Sequence, residues 1–252
     1  MKYVRFEAQG KIAHGVLAGE IIQELAGDFF SHSDLTGNQY KLAEVTLLAP
    51  CQPSKAVCVG VNYRDHAAEM KHELPKEPLI FIKPSTALNN PGGEIRYPAI
   101  SHNVHHEGEL AVVIGKTAKH VKAAQATEYI LGYTCANDVT ARDIQMRDGQ
   151  WTRGKGFDTF MPLGPWLETE LDPHAAAIKC LVNGQIRQSS NTGNLIFRIP
   201  ELVEFITQVM TLNPGDVILT GTPSGVGPIN IGDTVSVVID GKKKKKNTVV
   251  AG

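Results

Sequence analysis

The chain has 252 residues, 42% apolar and 20% charged, a composition that excludes a disordered or collagen-like chain. Its 25 basic residues balance 26 acidic ones, so no overall field recruits nucleic acid or anionic lipid. Twenty-four glycines and 14 prolines predict many turns and a strand-rich fold rather than a helical bundle.

The N-terminus carries charges at Lys2, Arg5 and Glu7 and lacks the apolar stretch of a secretory signal. No apolar run is long enough for a membrane span. Cys51, Cys58, Cys135 and Cys180 form no CxxC pair and read as reduced core thiols. These features predict a cytoplasmic protein.

Residues 1–50 alternate apolar and polar positions around Gly10, Gly15 and Gly19, which predicts a small β-rich subdomain of short strands and tight turns. Pro50-Cys51-Gln52-Pro53 breaks that pattern, and residues 51–252 form the larger unit. Within it, residues 55–60 read as a buried strand, followed by Asn62 as the N-cap of a short helix over 63–71. Strands are predicted at 79–83, 109–115 and 129–137. Pro200 opens a helix over 200–211, with Leu202, Phe205, Ile206 and Val209 on one face before the Asn213-Pro214-Gly215-Asp216 turn. Further strands fall at 217–219 and 234–238. The pattern predicts an α+β fold, predominantly β, and argues against a doubly wound sheet. Residues 242–246 are all lysine, and like charges in a run read as a solvated loop.

Glu107 and Glu109 stand two apart at the head of an apolar strand, a spacing that points both carboxylates to one face. Neighbouring acids repel unless a cation lies between them. A lone E-x-E is most often a solvated strand end, but Asp138 ends a second apolar stretch and supplies a third acid. Three carboxylates without cysteine or a histidine triplet suit a hard cation, Mg²⁺ first, with Mn²⁺ or Ca²⁺ as alternatives.

His66 and Glu69 stand three apart on the short helix. A carboxylate holding an imidazole fixes its tautomer and raises its basicity, although such a pair alone is more often a surface feature. His72 and Glu73 lack that spacing and read as solvated. Residues 149–156 begin like a P-loop, but Gly156 stands where Ser or Thr would hold Mg²⁺, and a P-loop is rejected. Lys155, between Gly154 and Gly156, is a cation on a permissive backbone, to be weighed against an exposed turn lysine. The glycines of 221–227 fail as a dinucleotide fingerprint and leave an anion nest as their use.

These residues lie in six blocks that resemble the fumarylacetoacetate hydrolase family. They are Gly60-Val-Asn-Tyr-Arg-Asp-His66-Ala-Ala-Glu69-Met, Phe81-Ile-Lys-Pro-Ser85, His106-Glu107-Gly-Glu109-Leu-Ala, Asn137-Asp138-Val-Thr-Ala-Arg142-Asp-Ile-Gln145, Trp151-Thr-Arg-Gly-Lys155-Gly-Phe-Asp158 and Leu219-Thr-Gly221-Thr222-Pro-Ser-Gly225-Val-Gly227. The resemblance implies a mixed β-sandwich roll, usually a homodimer, with Mg²⁺ or Mn²⁺ held by Glu107, Glu109 and Asp138. It further implies a water-activating His66–Glu69 dyad on a segment that closes over substrate. Lys155 corresponds to an oxyanion-binding cation, Gln145 to a polar contact near the metal and Thr222 to a contact with a substrate carboxylate. Arg64 and Arg142 are further candidates for substrate contacts. Two departures from the family pattern stand out: Gly108, where Val or Ile is common, and the lysine run, which replaces a short turn.

The implied activity is metal-dependent cleavage of a C–C bond in a 2-oxo or β-diketo acid, by hydrolysis or decarboxylation through a stabilised enolate. An isomerase or decarboxylase of diacids from aromatic catabolism is the alternative. A non-catalytic metal-stabilised scaffold would bind metal without turnover, but it has no need of His66, Glu69 or Lys155. A polyanion-binding protein driven by the lysine run would show salt-sensitive retention on heparin. The expected partner is a small-molecule acid, with no nucleic acid or membrane.

Overall fold

The computed structural model describes residues 1–31, 34–69, 73–243 and 246–252. The fold is α+β and predominantly β. Its main sheet runs, in spatial order, through Leu35–Lys41, Ile21–Leu25, Lys11–Ala18, Lys2–Ala8, Leu167–Glu168, Ile130–Asn137, Gly108–Ile114, Val217–Leu219, Ala56–Gly60 and Leu79–Lys83. Thr46–Leu48 pairs beside Lys2–Ala8 as the eleventh strand. A second sheet orders Gln185–Asn191, Ala177–Val182, Thr234–Ile239, Asn247–Ala251 and Glu94–Tyr97, with Lys242–Lys243 against Thr234–Ile239.

The strand Gly108–Ile114 is buried along its whole length because it is covered on both faces. Leu110, Val112 and Ile114 pack with Ile178, Cys180, Val235 and Val237 of the second sheet. Ala111 and Val113 pack instead with Ala136, Leu163, Val217 and Leu219. Two-sided burial explains why this segment reads as a continuous apolar run, and it assigns Glu109 to the face of Ala111 and Val113.

Residues 1–50 have a core of their own, formed by Val4, Phe6, Leu17, Ile22, Val45 and Leu47. Their strands are nevertheless part of the main sheet, joined through the pairs Lys2–Glu168 and Tyr3–Leu167. All four cysteines are buried, and none is in a disulfide. Among the described residues no helix is long and apolar enough to cross a membrane.

The long helix spans Ile199–Val209, with Pro200 in its first turn and the Glu201 carboxylate accepting from the Arg198 amide at 2.7 Å. Its buried stripe is Ile199, Leu202, Val203 and Ile206, whereas Phe205 is half-buried and Val209 exposed. The true face therefore lies one position away from the predicted one, because Val203 rather than Phe205 completes the i, i+3, i+4, i+7 set. The short helix spans Arg64–Glu69, and the predicted positions 70 and 71 lie outside the described residues. Asn62 does not cap it. The Asn62 side chain is fully buried, accepting from Phe197 N at 2.8 Å and donating to Phe197 O at 3.1 Å and Thr220 O at 2.8 Å. Three bonds to distant backbone outweigh one local cap. Glu73 is exposed, His72 and the lysines at 244 and 245 lie outside the described residues, and Lys246 is exposed.

Sheet order brings four strand ends to one place. Gly108–Ile114 begins beside the end of Ile130–Asn137, since Gly108 pairs with Asn137. On its other side Val217–Leu219 runs antiparallel to it and parallel to Ala56–Gly60, so both of those strands end at the same edge.

Candidate metal centre

Glu107 lies in the break between the strands Val104–His106 and Gly108–Ile114, and Glu109 follows one residue into the second strand. Asp138 leaves the adjacent strand directly opposite, its amide donating to Glu107 O at 2.8 Å. The Glu107 amide in turn donates to Asn137 Oδ1 at 2.9 Å. Glu107, Glu109 and Asp138 are buried, and each contributes a carboxylate oxygen to a group whose members lie within 4.8 Å of one another.

Three cations serve this cluster. Lys155 Nζ donates to Glu107 Oε2 and Asp138 Oδ2, both at 2.7 Å, and Lys83 Nζ donates to Asp138 Oδ1 at 2.6 Å. Arg142 pairs with Glu107 Oε1 and donates to Gln145 Oε1 at 2.6 Å. Burial alone would raise the Glu107 carboxyl, but Lys155 and Arg142 hold it well below the ordinary carboxylate range. Burial would lower the Lys155 ammonium, but Asp138 and Glu107 outweigh it and push the group up. Glu109 differs: it makes no ion pair among the described residues, and Gly221 N donates to its Oε2 at 2.7 Å. Burial, then the charges of Asp138 and Glu107, push its carboxyl well above the ordinary range. A buried carboxylate beside two others, without a cation of its own, fits a hard divalent ion.

The acids open into a cavity of about 420 Å³. Lys155, Arg142, Gln145, His66 and Thr222 line it with them, and Val59, Val61, Phe81, Met146 and Trp151 form its apolar wall. Lys155 sits in the short helix Thr152–Lys155, buried, with its ammonium 5.1 Å from the Phe81 ring centre. His66 Nδ1 lies 3.0 Å from Glu69 Oε2, and Glu69 Oε1 accepts from Gly225 N at 3.0 Å. The 221–227 loop thus spends the Gly221 amide on Glu109 and the Gly225 amide on Glu69. Thr222 Oγ1 donates to Gly108 O at 2.9 Å and accepts from Gln188 Nε2 at 2.7 Å.

Of the candidate site residues, Arg64 does not line this cavity and, among the described residues, makes no hydrogen bond or ion pair to one that does; its side chain is exposed. Four supporting residues carried no assigned role. Lys83 had a signal, a lysine closing an apolar strand, and it is fully buried. Gln188 and the Asp65–Ser190 contact, at 2.6 Å, had none.

Comparison with known proteins matches residues 55–250 to the family described as fumarylacetoacetate (FAA) hydrolase C-terminal, and residues 1–50 to one described as Rv2993c-like, N-terminal. A 5-carboxymethyl-2-hydroxymuconate delta-isomerase from Mycobacterium smegmatis is 49% identical, with a TM-score of 0.94 and all of both chains covered. Oxaloacetate tautomerase Fahd2a, mitochondrial, of Rattus norvegicus is 50% identical over 190 residues, which are 73% of this chain and 61% of that protein. A maleylpyruvate hydrolase from Sphingobium sp. SYK-6, solved with manganese(II) and pyruvate, is 32% identical, with a TM-score of 0.82 and full coverage of both chains. The family match across most of the chain agrees with the order of the six sequence blocks, and the chain belongs to the fumarylacetoacetate hydrolase family.

Proposed function

We propose that the protein is a divalent-metal-dependent enzyme of small 2-oxo or β-diketo acids. It cleaves a C–C bond, by hydrolysis as in acylpyruvates or by decarboxylation as in oxaloacetate. The observation that carries this reading is the convergence of three carboxylates, His66 and Lys155 on one cavity. Glu107, Glu109 and Asp138 would hold Mg²⁺ or Mn²⁺, which when bound supplies Lewis-acid charge to the oxygens of a 2-oxo acid.

The chain's own groups account for the rest. With Glu69 Oε2 accepting from Nδ1–H, the His66 ring carries its proton on that nitrogen and leaves Nε2 to take one from water. In decarboxylation the same imidazole returns a proton to carbon. Lys155 donates to the oxygen that turns negative, and a donor so placed is worth about 3–4 kcal/mol, roughly a hundred- to a thousandfold in rate. Arg142 and Gln145, bonded to each other, orient the substrate, and Thr222 contacts its carboxylate through the backbone amide, since its hydroxyl hydrogen goes to Gly108 O. Phe81, Met146 and Trp151 form the apolar side of the cavity. The absence of disulfides among the four buried cysteines supports a cytoplasmic protein, and the family resemblance supports a homodimer.

A second reading, proton transfer in the isomerisation or tautomerisation of a 2-oxo diacid, is favoured by the full-length likeness to the delta-isomerase. Both readings share the enolate. A screen of acylpyruvates, oxaloacetate and ring-fission diacids with Mg²⁺ or Mn²⁺, and with EDTA as control, tests them together. Turnover that EDTA removes and metal restores is expected; no turnover of any 2-oxo acid would sink the assignment. His66→Ala then separates the two, since loss of cleavage with tautomerisation intact supports the water-activating role.

A further inference from the structure

The strand Gln185–Asn191 holds none of the groups assigned above, and most of its side chains are exposed or half-exposed. Gln188 is the exception, 1% exposed and bonded on every side. Its Oε1 accepts from Gly108 N at 2.8 Å and lies 3.2 Å from His106 Nδ1. Its Nε2 donates to Thr222 Oγ1 at 2.7 Å and to Pro223 O at 2.8 Å. The amide cannot be turned over, because Gly108 N only donates and Pro223 O only accepts. The direction of the Thr222 hydroxyl follows: it accepts from Gln188 and gives its own hydrogen to Gly108 O. Gly108 lets the second sheet come this close. A Cβ at that position would stand 2.9 Å from Cys180 Cβ and 3.3 Å from Gln188 Oε1.

We propose that Gln188 is a positioning residue that clamps the Glu107-Gly108-Glu109 segment to the Gly221-Thr222-Pro223 loop. It thereby fixes Glu109, held by the Gly221 amide, relative to Thr222. The inference rests on the divalent-metal reading, since it assigns Gln188 to the spacing between a metal carboxylate and a substrate contact.

The test is calorimetric titration of the full-length chain with Mn²⁺, followed by titration of the Mn²⁺-loaded chain with oxalate. Gln188→Leu removes all four bonds and is expected to weaken Mn²⁺ about tenfold, the lower end of the cost of losing a partner outside the ligands. Gln188→Glu retains an acceptor for Gly108 N but loses both donors, so it spares the strand contact and is expected to weaken oxalate about tenfold. Thr222→Val on the Gln188→Leu background should add little beyond the larger single effect, because the two side chains share one network. Asp216→Asn, at the opposite end of the Gly108–Ile114 strand, controls for general loss of stability and should leave Mn²⁺ affinity unchanged.

Wild-type Mn²⁺ and oxalate affinities in folded Gln188 variants would overturn the inference while leaving the proposed function standing. Additivity with Thr222→Val, or an equal loss in Asp216→Asn, would overturn it too. A wild-type chain that binds no Mn²⁺ would overturn the proposed function and this inference together.

Discussion

The Lys155 ammonium lies 2.7 Å from oxygens of both Glu107 and Asp138, so a divalent cation entering the cluster meets a resident positive charge. Charges this close interact by several kcal/mol even at an effective dielectric constant of about 20. Lys155→Met should therefore tighten Mn²⁺ binding by about tenfold or more, while turnover falls roughly a hundred- to a thousandfold with the lost oxyanion donor. Calorimetry and steady-state rates check the two halves; weaker Mn²⁺ binding would mean that the lysine organises the acids instead of competing with the ion. Convergence of the acids was legible because strand alternation relates Glu107 to Glu109 and Asp138 closes an apolar run. The placement of Lys83 and Gln188 was not. Lys83 is 55 residues from Asp138 in sequence and Gln188 is 80 from Gly108, and only sheet order brings those pairs together.

The short helix Arg64–Glu69 is fixed at the cavity by its neighbours more than by its own hydrogen bonds. Glu69 leans on the Gly225 amide, and Gly225 has φ +90°, with a would-be Cβ 2.2 Å from Arg187 O. Gly225→Ala must shift that loop and release Glu69. The expected result is a fall in kcat of roughly tenfold or more, on the scale of general-base catalysis, with Mn²⁺ affinity retained. Lost Mn²⁺ binding would show that the loop supports the acids instead. The Asn213-Pro214-Gly215-Asp216 turn is held in a comparable way. Buried Asp216 accepts from Ser54 N at 3.0 Å, Ser54 Oγ at 2.6 Å, Lys55 N at 3.2 Å and Asn213 N at 2.8 Å, and it pairs with Lys55 Nζ. Burial acts to raise its carboxyl, but these donors and Lys55 hold it below the ordinary range. A carboxyl with a depressed folded-state pKa stabilises the fold above the unfolded value, near pH 3.9, and loses that contribution as pH falls toward its folded value. Asp216→Asn should cost about 2–3 kcal/mol at pH 7, and the gap from wild type should narrow in denaturant melts taken below about pH 4. A gap independent of pH would place the loss in packing rather than charge.

Over the whole molecule, the strands that frame the site were legible as apolar runs, but their order in the sheet was not. Ala56–Gly60 and Val217–Leu219 are far apart in the chain and pair in parallel, a non-local contact that periodicity does not encode. The second sheet was legible only in part. Ala177–Val182 is short and alternates exposed with buried positions, Lys179 being its single polar residue, whereas Gln185–Asn191 carries exposed or half-exposed polar residues along most of its length and lacks a clean period. The N-terminal strands raise a different question, because they extend the main sheet without contributing to the site. Every acid, cation and histidine of the cavity lies between His66 and Thr222. The seam includes two strand-residue pairs, bonds between Met1 and Thr169 and from the Ala49 amide to Asn90 Oδ1, Lys2 over the Trp166 ring, and Tyr3 and Phe30 packed against the core that contains Leu163 and Leu167. Removal of residues 1–50 should therefore leave Mn²⁺ affinity intact. It should also lower the melting temperature by several degrees, at about 2–4 °C for each kcal/mol of lost seam contact in a chain of this size. Scanning calorimetry and Mn²⁺ titration of the 51–252 fragment check this, and a fragment that stays unfolded would show that the two parts fold as one cooperative unit.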